Sequence, residues 1–352
     1  MKTTIAGGRA WHYSHSIGRQ TAEHNESEFG RTGGSCTPMD IAVSEDIIYV
    51  LSRGFGYGTE GYYGDLGNRI GKTTFDEDHL GDFARNGFTW PNSLAISAEE
   101  NVFCSDEYEN TVYVFDADSI YPFPEADPNG ESIIKWGTSG SDPGQLNAPT
   151  GIAFDKANNL YVVDSKNNRI QVFSSTGDYI RTWGKEGKDN GEFNNPWGIT
   201  IDSEGNVYVA DWGNNRVQKF KSDGTYLLSY GISEDSGVAL DHPAHVAIDS
   251  DGDVYVTDWG NNRVQIYEPD GEIIASLYGD ATDYSIAGLY LLNRDPDSIK
   301  RIRQNPDPMQ YMGTFGRPTG ITITKDNQII IADTRCRLQI YKKDSEYSEP
   351  PA

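Results

Sequence analysis

Three polar residues occupy equivalent positions in this sequence, each two residues after a proline. They are Asp40, Ser93 and His245, and at three other positions of the same kind the residue is glycine. A carboxylate, a hydroxyl and an imidazole in one place are groups that bind ligands or transfer protons. Arg53, which ends a run of strand-forming residues, would add a cation able to anchor a carboxylate or stabilise an oxyanion. These are the parts of a site, provided that the fold brings them together.

The element that must position these residues is a repeated unit. Copies of it begin at Pro149, Pro196 and Pro243, which are equally spaced, and a fixed period of this size is typical of repeat folds. Each copy contains short runs that alternate apolar and polar residues and are too short for helices. Four such runs, termed strands a to d in chain order, fit into each unit with turns rich in Asp and Gly between them. A four-stranded antiparallel sheet repeated at this length is a blade of a β-propeller.

Each copy also has an aspartate at the end of strand b and an arginine at the start of strand c. In the second copy these are Asp211 and Arg216, separated by Trp-Gly-Asn-Asn. Gly and Asn tolerate positive φ, so the chain can turn tightly and bring the two charges into a forked pair. We assign the pair a structural role, because a feature shared by the copies serves what the copies have in common.

The Pro-x-Gly-Ile, Tyr-Val-x-Asp and Asn-x-Arg-Val-Gln elements of these copies resemble the NHL-repeat family of β-propellers. The resemblance is close in the three central copies and looser elsewhere. Prolines that open a strand a extend the count to six blades: Pro38, Pro91, Pro149, Pro196, Pro243 and Pro318. We predict an all-β, six-bladed β-propeller that forms a single domain over residues 1–343, followed by an acidic, disordered tail at 344–352.

The last blade lacks a strand d of its own. Residues 318–333 and 337–342 supply its strands a, b and c, whereas residues 9–18 have the pattern of an isolated strand d. We therefore expect this N-terminal strand to complete the last blade and close the ring, which removes an exposed strand edge.

Most of the sequence added to the repeat is assigned to one face of the ring. In a four-stranded blade the b–c and d–a loops emerge on one face and the a–b and c–d loops on the other. Residues 54–67, 75–90 and 280–317 are predicted to be b–c or d–a loops, and residues 116–131 extend the opposite face. Long loops in a compact domain are usually lids or binding loops. We accordingly place the site at the mouth of the central channel on the b–c/d–a face.

The dipeptide Arg53-Gly54 is similar to a feature of the peptide-amidating lyases, which are distant NHL-like propellers. Those enzymes have a catalytic arginine followed by glycine at the end of strand b in their first blade, so the resemblance implies such a role for Arg53. They also hold zinc with a Pro-His pair on three blades, but the matching residues here are Asn92, Trp197 and Thr319. Because the zinc triad and a matching tyrosine are missing, amidating-lyase activity is not expected, and Arg53 remains as an anchor for a carboxylate or oxyanion.

Two metal sites are possible from the residue types alone. One is a zinc site formed by three histidines of the mouth, whose spacing is not a known ligand signature: His79, His242 and His245. The other is a calcium site of oxygen ligands, similar to the channel calcium of lactonase-like propellers: Asp40, Asn92 and Asp106.

Aromatic residues near the mouth would form the walls of a pocket. Tyr62, Tyr63 and Trp197 are not shared by the repeats, and they are the better pocket candidates. Trp212 and Trp259 recur in the repeat and are expected to pack between blades.

The formal charge of −24 and the sequence pI near 4.5 limit the possible partners. Such a surface repels phosphate backbones, so nucleic-acid binding is not expected. The 3 cysteines give no disulfide framework, and no apolar run forms a signal segment or approaches membrane-spanning length. We expect a cytoplasmic protein without membrane contact.

Two functions fit these features. In the first, the loop-rich face is a binding module for a small acidic molecule, a peptide or a protein partner, with Arg53 as the anchor. In the second, the same mouth is the site of a lyase or hydrolase, in which Arg53 stabilises negative charge and His245 or a tyrosine moves a proton, with or without a metal. The ligand-binding candidates are Asp40, Tyr62, Tyr63, Asn92, Trp197, His242 and Arg317.

Overall fold

The computed structural model describes residues 2–18, 36–54, 68–85, 88–116, 134–233, 237–283, 285, 286, 289 and 313–347. These residues form six antiparallel sheets, each a blade. Blade one contains β3 (Cys36–Ser44), β4 (Ile47–Gly54), β5 (Arg69–Thr74) and β6 (His79–Arg85). Blade two contains β7 (Pro91–Ile96), β8 (Val102–Asp106), β9 (Thr111–Phe115) and β10 (Ile134–Trp136). Blade three contains β11 (Pro149–Phe154), β12 (Asn159–Asp164), β13 (Arg169–Ser174) and β14 (Tyr179–Trp183). Blade four contains β15 (Ile199–Ile201), β16 (Val207–Asp211), β17 (Arg216–Phe220) and β18 (Tyr226–Tyr230). Blade five contains β19 (Pro243–Ile248), β20 (Val254–Asp258), β21 (Arg263–Tyr267) and β22 (Ile273–Leu277). Blade six contains β23 (Pro318–Ile323), β24 (Gln328–Asp333) and β25 (Arg337–Asp344), together with β2 (Arg9–Ile17) and β1 (Thr3–Ala6).

The six sheets are arranged in a ring around a central channel. Strand a of each blade contacts strand a of the next, and β23 of the last blade contacts β3 of the first. The b–c turns of blades three and four form short 3-10 helices, Ser165–Asn167 and Trp212–Asn214. The all-β, six-bladed propeller predicted from the repeat is confirmed.

The hydrophobic core is divided into six clusters, one between each pair of neighbouring blades. The cluster between blades three and four contains Val163, Phe193 and Phe220, and the cluster between blades six and one contains Ile340 and Ile48. Each central strand therefore packs on both of its faces, which explains why β16 and β20 are buried along their whole length.

The N-terminal strand closes the ring, as the sequence predicts. β2 pairs with β25 in antiparallel register, with Tyr13 opposite Tyr341. Trp11 of β2 is fully buried and donates a hydrogen bond from Nε1 to the hydroxyl of Tyr255 in blade five, at 2.8 Å. β1 adds a fifth strand outside β2, and no pattern in the sequence predicts it.

A group of charges fastens this closure to blade five. The Nζ atom of Lys343 lies 2.5, 2.8 and 2.7 Å from carboxylate oxygens of Asp249, Asp251 and Asp253, in the hairpin between β19 and β20. Arg9 of β2 adds an ion pair of 2.9 Å to Asp253. We refer to these five residues as the closure clasp.

Two predicted boundaries are wrong. Residues 75–90 were expected to form an inserted d–a loop, but β6 (His79–Arg85) is strand d of blade one, and residues 75–78 form only its tight c–d turn. The tail does not begin at residue 344, because β25 continues to Asp344. In the part of the chain that the structure describes, no helix has the length and apolarity to cross a membrane.

Candidate functional site

A cavity of about 190 Å³ lies at the mouth of the channel, on the face where the b–c and d–a loops emerge. Most of its lining comes from the two residues that follow the strand-a prolines, and the rest comes from the ends of strands b. The lining residues are Met39, Asp40, Arg53, Asn92, Ser93, Gly151, Trp197, Gly198, Trp212, Ala244, His245, Trp259 and Thr319. The structure thus brings together the strand-a residues and Arg53, which the sequence predicts to lie at one mouth.

Glycine lets neighbouring strands a approach one another at the cavity wall. A Cβ atom on Gly198 would lie 2.5 Å from the carbonyl oxygen of Ala244 and 2.7 Å from the Cα atom of His245. A Cβ atom on Gly151 would lie 2.6 Å from the carbonyl oxygen of Trp197. The three blades that have glycine here form the tight part of the ring, and the larger polar residues of the other blades take the remaining space.

Asp40 and His245 face each other inside the cavity. Asp40 is 2% exposed, and its carboxylate accepts hydrogen bonds from the Ser93 hydroxyl at 2.6 Å and from the main-chain N–H groups of Leu94 and Ile41, both at 2.9 Å. The Nε2 atom of His245 lies 3.8 Å from Oδ1 of Asp40. These groups are close enough to influence one another electrostatically, but they do not form a direct hydrogen bond.

Arg53 extends from blade one across to blade two. Its Nε donates to the carbonyl oxygen of Pro91 at 2.5 Å, and its guanidinium carbon lies 4.6 Å from the centre of the Trp90 ring. Its Nη2 atom lies 3.6 Å from the carboxylate of Glu107, which also accepts a hydrogen bond from the Asn92 amide at 2.8 Å. Burial lowers the pKa of Arg53 and raises the pKa of Glu107, and each charge partly offsets the effect on the other.

Three tryptophans supply the aromatic wall of the cavity: Trp197, Trp212 and Trp259. The rings of Trp197 and Trp212 are 6.3 Å apart, and His242 packs on the outer side of Trp212 at 4.1 Å. Arg317 covers Trp259, with its guanidinium carbon 4.1 Å from the ring centre. Trp212 and Trp259 thus each contact a residue at the start of the next blade, and both also line the mouth. His242 and Arg317 lie behind this wall and do not line the cavity.

The predicted metal sites find no support in the described residues. His79 begins β6 beside the c–d turn, so it lies on the opposite face from His242 and His245. Both carboxylate oxygens of Asp106 accept main-chain N–H groups, from Thr89, Trp90, Tyr108 and Glu109. Within the described ranges no three His, Cys, Asp or Glu side chains are placed to hold a metal ion.

The recurring aspartate and arginine form the structural pair that was predicted. The Nε atom of Arg216 lies 2.9 Å from Asp211, and the same pair recurs in blades three, five and six. Asn215, which has positive φ, accepts a hydrogen bond from the main-chain N–H of His242 at 2.9 Å and so joins this turn to the next blade. The equivalent residue Asn168 does the same for Asn195.

The described residues that flank two of the added loops lie on the face of the cavity. Residues 54–67 connect strands b and c of blade one, and residues 280–317 connect blade five to blade six. Tyr62 and Tyr63, which were predicted to be pocket walls, lie outside the described residues.

The fold and the cavity define a class of protein, a six-bladed β-propeller with a pocket at one mouth of its channel. Comparison with known families identifies the blades more closely. Residues 146–173, 193–220 and 240–267 match the NHL repeat. Blades three to five therefore contain NHL repeats, in agreement with the resemblance drawn from the sequence.

Known proteins similar to this chain differ widely in their descriptions. The E3 ubiquitin-protein ligase TRIM71 of Rattus norvegicus is 30% identical over 183 residues, which is 41% of this chain but only 21% of that protein. A structure from Bacteroides thetaiotaomicron, of a protein of unknown function, has a TM-score of 0.61 at 16% identity and covers 96% of this chain and 76% of that one. Virginiamycin B lyase from Staphylococcus aureus, in a complex with quinupristin, has a TM-score of 0.54 at 15% identity, covering 88% of this chain and 96% of that one. At such identities the likeness of the structures shows the fold alone.

Proposed function

We propose that this propeller is a binding module that receives a peptide segment of a protein partner at the mouth of its channel. NHL-repeat propellers are typically protein-binding scaffolds. The observation that carries the proposal is the cavity walled by Trp197, Trp212 and Trp259, since aromatic residues around a small pocket are typical of sites that anchor a side chain. Its rim adds Trp90 and Tyr108, which are 44% and 72% exposed.

The geometry favours a peptide over a small acidic ligand. Arg53 is the guanidinium of the cavity, but its N–H groups already meet two main-chain oxygens and the Glu107 carboxylate. Asp40 and the net charge of −24 would also repel an anion. The same charge argues against a nucleic acid.

The experiment selects peptides from a random library against the wild-type protein and then measures their affinity for two variants. Trp212→Ser places at the mouth the residue that blade three has at the equivalent position, Ser165, so the fold should tolerate it. Lys221→Ala alters an exposed turn on the opposite face. We expect Trp212→Ser to weaken the selected peptides about tenfold, the loss typical of an interface anchor, and Lys221→Ala to leave them unchanged. Peptides that bind the two variants equally well would exclude the mouth as the binding site.

A second candidate is a lyase or hydrolase, and the observation that favours it is the placement of His245 beside Asp40 in a cavity that also holds Arg53. A carboxylate next to an imidazole can support proton transfer. His245→Gly, which restores the glycine found in three other blades, separates the two candidates. If the protein is an enzyme, this variant should lose turnover and keep its affinity for the selected peptides. If it is a binding module, the wild-type protein itself should show no turnover.

A further inference from the structure

The charges that line the cavity are unequally compensated. Arg53 is met by the Glu107 carboxylate, by main-chain oxygens and by the face of Trp90. Asp40 is held by a hydroxyl and two main-chain N–H groups, which are dipoles and not charges. Among the described residues of the lining, the group nearest to a countercharge for Asp40 is His245, at 3.8 Å. The described lining of the cavity therefore has an excess of negative charge at Asp40.

The Asp40 carboxylate also has an acceptor site that is not used by the described residues. A carboxylate has about four acceptor sites, and three of those on Asp40 are used. Its Oδ1 atom accepts a single hydrogen bond, from the main-chain N–H of Ile41. An ammonium or guanidinium group that reached Oδ1 would make a charge-assisted hydrogen bond, which is stronger than a neutral one.

The tryptophans at this mouth already bind cations. Guanidinium groups of the chain itself cover two of them, Arg53 on Trp90 at 4.6 Å and Arg317 on Trp259 at 4.1 Å. Trp197 and Trp212 line the cavity without such a partner in the described part of the chain. The face of an indole ring is the preferred aromatic surface for a cation, so these two rings are suited to receive one from outside.

On these grounds we infer that the side chain received by the mouth is basic, a lysine or arginine of the peptide segment, held between the Trp197 and Trp212 rings and the Asp40 carboxylate. The inference rests on the proposed function and adds the chemical class of the partner. The net charge of −24 would also draw a basic segment to the protein and speed its association at low salt.

The test uses four capped amino acids as probes: the N-acetyl amides of lysine, arginine, norleucine and glutamate. Binding is measured by calorimetry and by indole fluorescence. We expect the lysine and arginine probes to bind at least about tenfold more tightly than norleucine, which has the four-carbon chain of lysine without its ammonium group, and glutamate not to bind. Added salt should weaken the basic probes only.

Three variants test whether the basic probes bind at this position in the cavity. Asp40→Asn should reduce the affinity for the basic probes about tenfold, whereas Glu109→Gln, which removes a partly exposed carboxylate from the b–c turn of blade two on the same face, should not. Because Asp40 is buried and its replacement can disturb the fold, Trp212→Ser provides a second check and should also weaken the basic probes. Equal affinity for norleucine and lysine, no binding of any probe, or an unchanged affinity in both Asp40→Asn and Trp212→Ser would overturn the inference. The peptide selection described above is a separate measurement, so the binding-module proposal can survive that result.

Discussion

At the scale of the residue, the buried aspartate at the end of strand b is what each regular blade depends on. Asp211 is fully buried and accepts hydrogen bonds from the main-chain N–H of Asn194 and the side chains of Asn214, Arg216 and Gln218. The sequence predicted the pair with arginine but not the other donors. The spacing of these donors along the sequence does not predict their contact with the aspartate, because the contact depends on the d–a loop lying beside the b–c turn. The recurrent glutamine two residues after the arginine is explained by this contact.

Arg216→Met should destabilise the protein strongly. The change removes the ion pair with Asp211 and two hydrogen bonds to main-chain oxygens of Asp189 and Glu192, and it leaves a buried carboxylate uncompensated. We expect the free energy of unfolding, measured with denaturant, to fall by about 3–5 kcal/mol. Lys221→Met, at an exposed position just after the same strand, should change it by less than about 0.5 kcal/mol. Similar values for the two variants would contradict the structural role of the pair.

The candidate site was partly predictable from the register of the repeat. Asp40 and His245 depart from a repeat, so the register of the repeat was enough to place them on one ring. Glu107 and Trp90 belong to loops, where no periodicity gives the direction of a side chain. Their contacts with Arg53 could be found only from the folded structure.

At the scale of the element, the central strands were predictable, whereas the outer strand β6 was not. Strands b such as β16 have alternating β-branched and aromatic residues and are buried on both faces. β6 (His79–Arg85) has no β-branched residue and contains glycine, which weakens any strand signal. Its assignment as a strand comes from pairing with β5. Pairing of this kind is a tertiary contact that local sequence does not encode.

The closure clasp gives a prediction for the last blade. The Lys343 side chain is fully buried between three carboxylates. In Lys343→Ala these lose their main cation, and we expect the free energy of unfolding to fall by about 3–5 kcal/mol. Lys342→Ala removes the neighbouring exposed lysine and serves as the matched control. If both variants unfold at the wild-type denaturant concentration, the clasp does not contribute to ring closure.

At the scale of the whole molecule, stability is distributed around the ring. Each of the six hydrophobic clusters lies between two blades and belongs to neither alone. Several contain tyrosines that are almost completely buried, such as Tyr230 and Tyr267 between neighbouring blades. The number of blades and their order could be predicted, because the repeat fixes both. The added loops could be located only at the level of which strands they connect.

These tyrosines make the fold sensitive to alkali. Burial raises the pKa of Tyr230 to about 12 and also raises the pKa values of Tyr208, Tyr255 and Tyr341. The unfolded chain loses these protons near pH 10, where the folded chain keeps them. The contribution of each buried tyrosine to the free energy of unfolding is therefore complete below pH 10. It is lost as the pH rises towards 12, by up to about 1.4 kcal/mol per pH unit for each tyrosine.

Melting curves between pH 7 and pH 12 test this expectation, together with the absorbance of tyrosinate. Exposed tyrosines should ionise first, and the buried ones should ionise only as the protein unfolds. Tyr230→Phe should reduce the loss of stability at alkaline pH by the contribution of one tyrosine. Tyr108→Phe, at a position that is 72% exposed, should not reduce it. Ionisation of all tyrosines near pH 10 in a protein that stays folded would show the prediction to be wrong.

The pairing of β2 with β25 also sets the order in which the ring can form during synthesis. During synthesis β2 leaves the ribosome before strands β3 to β25 of the six blades, and the Trp11 side chain stays without its final environment until β25 has followed. Blades three to five have contacts that are local in sequence and can be complete by then. We therefore expect the ring to close last in folding, after the sixth blade has been translated.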